Sequence, residues 1–289
     1  MIFEFGATRP SLIFMRYLIL LMLLIPSLGV AQDRKPSHCL AFAEAIPDAK
    51  FIHNASWQED VPADSLRLTF IDHAMFLIQT EGGLSAVTDY VGYTPGIDII
   101  PDVVTMNHAH SSHWTPNPDP AIPHVLEGWE HGGKADHHLD LGEMLVRNVP
   151  TDIRSRFGGP PEEDGNSIFI FEVAGLCVGH LGHLHHEPDA EQYAAIGRLD
   201  VVMAPVDGGL TLDIETMTRV LKRLRSSVVI PMHWWSDYSL NTFISGMRDE
   251  FDVVEPDTSS IELSMRTLPG RPTIMVLKPV YFNPPSFDD

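Results

Sequence analysis

Three histidines lie within six residues at 108–113, where His108, His110 and His113 directly follow an apolar run. Residues two apart in a strand point to the same side, so His108 and His110 share a face, and a following turn can return His113 to it. Neutral imidazoles that converge on one point are suitable ligands for a dication such as zinc. A solvated histidine-rich loop is the alternative for this segment.

Two later apolar runs are also followed by histidines. His180 and His183 belong to a group of four histidines at 180–186, and His233 comes after the run 228–230. A catalytic metal site takes ligands from several parts of the chain and keeps one position open for water. The pattern therefore predicts a metal site built from histidines at three strand ends.

The predicted secondary-structure elements that position these histidines differ between the first and second parts of the chain. Short strands come first, at 66–71, 75–79, 84–88 and 102–106. From residue 168 strands alternate with helices, with strands at 168–172, 176–179, 201–204 and 228–230 and helices at 188–196, 214–224 and 240–251. This order predicts sheets covered by helices in a single α/β domain.

The segment 114–165 is rich in proline, glycine and charge. Long stretches of that composition are usually disordered or functional loops, and we expect this one to flank the metal and shape a pocket. Four tryptophans next to the histidine motifs are candidates for an apolar substrate wall, with core packing as the commoner role: Trp114, Trp129, Trp234 and Trp235.

The N-terminal residues predict export. Arg16 precedes an apolar run at 17–25, which is too short to span a bilayer comfortably, and small residues follow at Gly29 and Ala31. This arrangement is typical of a secretory signal cut after Ala31, and a buried N-terminal helix is the alternative. We expect a periplasmic or secreted protein with no membrane contact after cleavage.

The chain is accordingly divided into four segments. These are a signal peptide at 1–31 with a possible true start at Met15, an N-terminal arm at 32–64, one domain at 65–280 and a C-terminal tail at 281–289. With 289 residues, of which 44% are hydrophobic, the chain can bury one substantial core. The formal net charge of −20 repels phosphate backbones, so nucleic acid is not expected as a partner. The oligomeric state stays open.

The chain has two cysteines, Cys39 and Cys177. Cys177 lies in an apolar, strand-like run, which favours its interpretation as a small buried hydrophobic residue. A disulfide between the two is the alternative, because an exported protein meets an oxidising environment.

The order of these motifs resembles the metallo-β-lactamase superfamily, and within it the branch related to L-ascorbate-6-phosphate lactonase. The segments that carry the resemblance are 72–78, 88–90, 108–113, 179–183 and 230–233. The resemblance covers roughly residues 66–280. It implies an αββα sandwich, in which two mixed sheets are faced by helices and the site lies at the sheet edge.

This chain departs from the family pattern at three positions. Ser112 stands where the family has an aspartate for its second metal, and His180 stands where it has a bridging aspartate. The family's third histidine for the first metal falls near 148–152, where Asp152 is the one good ligand and its role is left open. Since two dications repel without shared carboxylates, we expect one metal ion, most simply zinc, with another transition metal as the alternative.

The predicted ligand set is His108, His110, His113, His180 and His233. Five residues exceed the four positions of a closed site, so one or more of them can lie outside it. For His180 the alternative is a hydrogen-bonding group that fills the space of the missing carboxylate. His73, at a motif position, is a candidate to face the pocket.

Two further residues are assigned catalytic roles. His183 is expected to orient a ligand or to donate a proton to a leaving group, with a purely supporting histidine as the alternative. Asp89 is expected to accept a hydrogen bond from a ligand histidine and fix its tautomer, with a turn carboxylate as the alternative.

These residues together favour a metal-dependent hydrolase. A metal-activated water would attack a small-molecule substrate of the ester, lactone or phosphodiester type. A non-catalytic metal- or ligand-binding protein on a degenerate fold is the alternative, because Ser112 and His180 replace carboxylates. The serines at 111–112 lack the Gly-x-Ser-x-Gly context, so a serine nucleophile is not expected.

Overall fold

Six strands form the first sheet of the computed structural model, which describes residues 35–40, 55–155 and 158–281. They are β1 (Leu66–Asp72), β2 (Met75–Thr80), β3 (Ser85–Val87), β4 (Val103–Met106), β5 (His124–Glu127) and β13 (Ser260–Leu263). Their order is β13-β1-β2-β3-β4-β5. The pairs on the β1 side are antiparallel, whereas β3, β4 and β5 are parallel.

Eight strands form the second sheet. They are β6 (His138–Asp140), β7 (Met144–Ile153), β8 (Glu162–Val173), β9 (Leu176–His180), β10 (Val201–Pro205), β11 (Val228–Met232), β12 (Asp252–Val254) and β14 (Thr273–Met275). Their order is β12-β14-β11-β10-β9-β8-β7-β6. The strands β9, β10 and β11 run parallel, so their carboxyl ends meet at one edge of the sheet.

Three α-helices accompany the second sheet: α1 (Ala190–Ile196), α2 (Ile214–Leu224) and α3 (Asp237–Met247). The side chains of Asp189 and Asp213 begin the first two helices, because each accepts a hydrogen bond from a backbone N–H three residues later. In the part of the chain that the structure describes, no helix is long and apolar enough to cross a membrane.

The two sheets pack face to face, as the predicted fold class requires. Alternate residues of each strand point to opposite faces, so the inner faces share one core that includes Leu68, Phe76 and Phe171. The outer face of the second sheet packs against the three helices. The αββα metallo-β-lactamase class is therefore confirmed in its two-sheet arrangement and its helical layer.

The outer face of the first sheet differs from the expected helical cover. Within the described ranges it packs against connecting segments through Tyr90, Ile97, Ile122 and Trp129. The segments that supply these residues contain six prolines between 95 and 123. Because proline lacks the backbone donor that a helix interior needs, these segments cover the sheet without forming helices.

The segment 114–165 is not the long loop predicted from its composition. It contains β5, β6, β7 and the start of β8. Pro150 lies inside β7. Only residues 145–147 of β7 pair with β6, so Pro150 lies where no described strand needs its missing donor. The short strands β12, β13 and β14 were also not predicted.

Cys39 and Cys177 form a disulfide, with their Cα atoms 5.9 Å apart. This corrects the interpretation of Cys177 as a lone buried hydrophobic residue, although its side chain is fully buried. The segment that carries Cys39 is fixed by the backbone N–H of His38, which donates to Glu172 of β8. A separation of 138 residues gave no local signal for the pair.

Several predicted features lie outside the described residues. They are the signal peptide at 1–31, residues 32–34 and 41–54 of the predicted arm, and residues 282–289 of the predicted tail. The division of the chain into four segments therefore stays a prediction.

Candidate metal centre

Four histidines converge where strands of the two sheets end. His110, His113, His183 and His233 each offer one ring nitrogen, and these four atoms lie within 4.8 Å of one another. They follow β4, β9 and β11, whose carboxyl ends meet at this edge. Three of the four side chains are buried and His110 is half-buried.

His113 is held in one tautomer by a carboxylate. Its Nδ1 donates to Asp89 Oδ2 at 2.6 Å, and Asn107 Nδ2 donates to Asp89 Oδ1 at 2.9 Å. The ring's other nitrogen, Nε2, then presents a lone pair, and this buried atom has no hydrogen-bond partner among the described residues. Burial lowers the pKa of His113 well below its usual value, and the nearby His233 lowers it further.

Asp89 lies where the sequence predicted it, with its carboxylate accepting from a histidine of the cluster. Burial raises the pKa of Asp89 to about 6, against the opposing influence of His180 and of the hydrogen bond from Asn107. Its backbone, like that of His73 and His233, has a positive φ, between 44° and 53° in the three residues. Such backbone strain is common at functional sites, where the surrounding structure enforces it.

His233 is held by a second carboxylate, which the sequence reasoning missed. His233 Nδ1 donates to Asp207 Oδ2 at 2.9 Å, and its Nε2 is buried without a described partner. Burial raises the pKa of Asp207, but hydrogen bonds from His233, Thr211 and the backbone N–H of Gly209 outweigh it and leave that pKa well below its usual value. The available signal was a carboxylate two residues after the buried strand β10.

Ser112 supports His110 from the position of the family aspartate. Its hydroxyl lies 2.7 Å from His110 Nδ1 and 3.2 Å from His73 Nε2. A hydroxyl carries one proton, so it accepts from one ring and donates to the other. When His110 Nδ1 donates to Ser112, the lone pair of His110 Nε2 faces the cluster.

His183 presents an N–H to the cluster instead of a lone pair. The backbone N–H of Arg154 donates to His185 Nδ1 at 2.9 Å, so neutral His185 carries its proton on Nε2. That proton is donated to His183 Nδ1 at 2.5 Å, which leaves the proton of His183 on Nε2. His183 Nε2 lies 3.0 Å from His110 Nε2 and donates to it.

The side chain of His185 is itself buried against His183. Burial lowers the pKa of His185 to about 4, with Arg154 as the next cause. Burial also lowers the pKa of His183, followed by the influence of His113. Both rings are therefore neutral near pH 7, as the tautomer argument requires.

The turn before His183 has to be small. Gly182 has φ +58°, and a Cβ there would lie 2.5 Å from Asn107 Nδ2 and 2.7 Å from Asn166 Oδ1. Asn166 Oδ1 accepts the backbone N–H of His183 at 2.8 Å. The glycine thus lets the His183 turn approach Asn166 and Asn107, of which Asn107 also donates to Asp89.

His108 and His180 were predicted as ligands, and the structure does not bring either into the cluster. His108 Nδ1 pairs with Glu162 Oε1 at 2.8 Å, and its ring stacks on Trp129. His180 Nε2 donates to Ala74 O at 2.8 Å, while its Nδ1 accepts from the backbone N–H of Gly182. Both nitrogens of His180 are occupied, which matches the alternative of a hydrogen-bonding group in place of the carboxylate.

Asp152 is likewise not among the converging residues. Its carboxylate accepts the backbone N–H of Asp164 at 2.9 Å, across the irregular pairing of β7 with β8. His183 converges with His110, His113 and His233, whereas Asp152 lies outside this cluster.

The cluster fits one divalent cation. A buried acceptor without a partner costs about 1–3 kcal/mol, and both His113 and His233 have one such atom. A cation bound to these atoms would remove that cost, and His110 Nε2 would join them by exchanging its hydrogen bond from His183 for the ion. No carboxylate among the described residues belongs to the converging group, so nothing there offsets the repulsion of a second ion.

A cavity of about 580 Å³ opens beside the cluster. Its lining includes His233 of the cluster, together with the adjacent His73 and Ser112. His73 lines this cavity, as its motif position indicated, and its ring lies 4.1 Å from that of His233. Trp234 and Trp235 also line the cavity. Trp114 and Trp129 instead pack around His108, so two of the four candidate tryptophans form a wall.

Comparison with known proteins now identifies the family. The profile of the beta-lactamase superfamily domain matches residues 67–233, which is more than half of the chain. The chain belongs to the metallo-β-lactamase superfamily.

Two curated relatives are named UPF0173 metal-dependent hydrolases. The chain is 25% identical over 191 residues to the one from Carboxydothermus hydrogenoformans, which covers 58% of this chain and 84% of the relative. It is 24% identical over 246 residues to the one from Archaeoglobus fulgidus, with 74% and 96% covered. Both alignments span most of the relative's length.

Two solved structures share the fold. One, from Thermotoga maritima, is assigned to the Zn-dependent hydrolases of the metallo-β-lactamase superfamily, with 25% identity, a TM-score of 0.54, and 73% and 98% of the two chains covered. The other, from Parabacteroides distasonis, has 17% identity and a TM-score of 0.53, with 69% and 95% covered. The expectation of a metal-dependent hydrolase of this superfamily is confirmed at that level.

Proposed function

We propose that the protein is a mononuclear zinc hydrolase that cleaves a small-molecule ester or lactone. The observation that carries this proposal is the pair of buried, unpartnered Nε2 atoms of His113 and His233, which point at the same place as His110 Nε2. A zinc ion held there would lower the pKa of a bound water and polarise the bond to be cleaved. Three imidazoles and an open fourth position suit a catalytic site.

The carboxylates of Asp89 and Asp207 serve the proposed site by fixing two ring orientations. Each accepts an Nδ1–H and so directs the opposite nitrogen inward. Such outer hydrogen bonds also raise the basicity of the imidazole. Their place in the site is that of positioning residues, since neither carboxylate reaches the cluster.

His183 serves as the proton donor to the leaving group. Its Nε2–H faces the cluster, and His185 together with the backbone of Arg154 fixes that tautomer. General acid catalysis needs a proton held within hydrogen-bond reach of the departing oxygen, and the Nε2–H of His183 is held at the cluster beside His110 Nε2. The role predicted for His183 from the sequence is retained here, with a geometric reason.

The substrate is an ester or lactone in preference to a phosphodiester. Phosphate groups are usually held by arginine or lysine, and neither residue type lines the described part of the cavity beside the cluster. The wall contains Phe70, Met75, Val91 and Trp234, which suit the apolar part of a small organic substrate.

We also propose that the protein is exported and lacks residues 1–31 in its mature form. The run at 17–25 supports this, and so does the disulfide between Cys39 and Cys177, because disulfides persist in oxidising compartments. N-terminal sequencing of the native protein tests the proposal. We expect Gln32 as the first residue, and an intact Met1 or Met15 would contradict it.

The hydrolase proposal is tested by metal analysis together with turnover. Purified protein should contain about one zinc per chain and hydrolyse short acyl esters and lactones faster than phosphodiesters. His131→Ala, at an exposed histidine outside the cluster, is the matched control and should behave as the unaltered protein. Two zinc ions per chain, or turnover of phosphodiesters alone, would contradict the proposal.

A further inference from the structure

The mouth of the cavity exposes aromatic rings. Trp235 is 62% exposed and Tyr93 is 64% exposed, and both line the cavity. A large aromatic side chain left in water at the rim of a pocket is characteristic of a binding surface. Trp235 is also held in place, because its ring lies 4.8 Å from that of His73, at an angle of 38°.

Carboxylates are the charged groups of this lining. Asp72 is the last residue of β1, and Asp237 is the first residue of α3. Neither forms an ion pair with a described lysine, arginine or histidine, and no lysine or arginine lines the described cavity. Burial also raises the pKa of Asp72, which shows that its charge is partly shielded from water.

Aromatic faces and unpaired carboxylates attract the same chemical group. A ring carries negative charge density on its faces and attracts ammonium groups, most strongly when the ring is tryptophan. Asp72 and Asp237 add a negative potential at the same opening, where an anionic substrate would be repelled. These residues come from three separate parts of the chain. Asp72 is at the end of β1, Tyr93 lies between β3 and β4, and Trp235 and Asp237 lie where the loop after β11 enters α3.

We propose that this cavity selects esters whose non-acyl part carries an ammonium group, which Trp235, Tyr93, Asp72 and Asp237 bind at the mouth. The inference rests on the proposed function, because it assigns the substrate class of that same site. A cation at the mouth also avoids repulsion by a dication held at His113 and His233, while the acyl carbon reaches inward along His73 and Ser112.

The first experiment measures binding without turnover. Calorimetric titration of the full protein with choline is compared with titration by 3,3-dimethyl-1-butanol, in which carbon replaces the charged nitrogen at nearly the same shape. We expect choline to bind about tenfold more tightly, from cation–aromatic attraction and two carboxylates. Equal affinity for the two compounds would overturn the inference.

Variants then locate the binding site. Trp235→Ala and Asp237→Asn change exposed side chains, so the fold should survive, and each should remove most of the preference for choline. Asp72→Asn is the third variant, and its folding is checked by thermal unfolding. Glu191→Gln, on the exposed face of α1, is the charge-matched control and should keep the preference. A choline preference that survives both Trp235→Ala and Asp237→Asn would overturn the assignment to this cavity.

Turnover separates this inference from the proposed function. The zinc-loaded protein is assayed with acetylcholine and with 3,3-dimethylbutyl acetate, and we expect hydrolysis of both with a higher kcat/KM for the cation. Hydrolysis of both at equal kcat/KM would leave the hydrolase standing and overturn the ammonium preference. Selective choline binding with no hydrolysis of either ester would support the cation site and contradict the proposed reaction.

Discussion

The four converging histidines form two pairs that differ in what holds their outer nitrogens. Carboxylates hold His113 and His233, and the inner nitrogens of both are buried without a described partner. A hydroxyl and another imidazole hold His110 and His183, and their inner nitrogens lie 3.0 Å apart. The first pair presents two lone pairs, whereas the second pair shares one proton.

This difference teaches that the outer hydrogen bond decides the role of an imidazole at such a site. A carboxylate can only accept, so its histidine must direct a lone pair inward. His185 can only donate to His183, because the backbone of Arg154 already donates to its other nitrogen. Four rings of the same type, similarly placed, are thereby divided into those that present a lone pair and one that presents a proton, which the proposed function uses as metal ligands and as proton donor.

The largest effect is expected from removing a carboxylate-held imidazole. His113→Ala and His233→Ala should each lose tight zinc binding and with it hydrolysis, because each removes a nitrogen with no other partner in the described site. Competition titration against a chromogenic chelator measures the zinc affinity, with His131→Ala as the control. A zinc affinity within threefold of that of the unaltered protein would show that the carboxylate-held histidines do not bind the metal.

The second prediction concerns His183. His183→Ala should keep about one zinc per chain while kcat falls by about 10²–10⁴-fold, the usual range for loss of a general acid. Zinc content and steady-state kinetics are measured on the same preparation. Loss of zinc as complete as in His113→Ala would show that His183 is a ligand and that the tautomer argument is wrong.

The third prediction concerns the carboxylates themselves. Asp207→Asn and Asp89→Asn should weaken zinc binding by about 10–100-fold, since an amide can donate to Nδ1 and turn the histidine to the wrong tautomer. Asp207→Glu, which keeps an acceptor, should lose less. An Asp207→Asn protein with unchanged zinc affinity would mean that the carboxylate only caps the 209–211 turn.

The smallest effect is expected at His180. Its two nitrogens are occupied by Ala74 O and the N–H of Gly182, so His180→Gln should leave one zinc per chain and change its affinity less than threefold. The midpoint temperature of thermal unfolding should fall, because the substitution alters a buried hydrogen bond. A loss of zinc in this variant would restore His180 to the ligand set.

The sequence predicted the strands around the site well, because their apolar patterns are local. The predicted strands 66–71, 75–79, 201–204 and 228–230 overlap those observed, and Asp213 is the N-cap that begins α2. The strand that contains Pro150 escaped prediction, since the proline is tolerated only because β6, the described neighbour on that side, pairs with residues 145–147 and ends before it. The Cys39–Cys177 disulfide escaped for a similar reason, because the two residues meet only in the folded chain.

By itself, the sequence determined the use of imidazoles at strand ends and a domain of sheets covered by helices, because these follow from residue types and apolar periodicity. The family and its two-sheet architecture came from the resemblance of the motifs. Only the tertiary structure decided which imidazoles converge. His108 and His183 both follow predicted strands, yet His108 turns to Glu162 and Trp129 while His183 joins the cluster. That choice depends on partners distant in sequence, such as Asp207 for His233 and Arg154 for His185, whose hydrogen bonds exist only once both sheets have packed together.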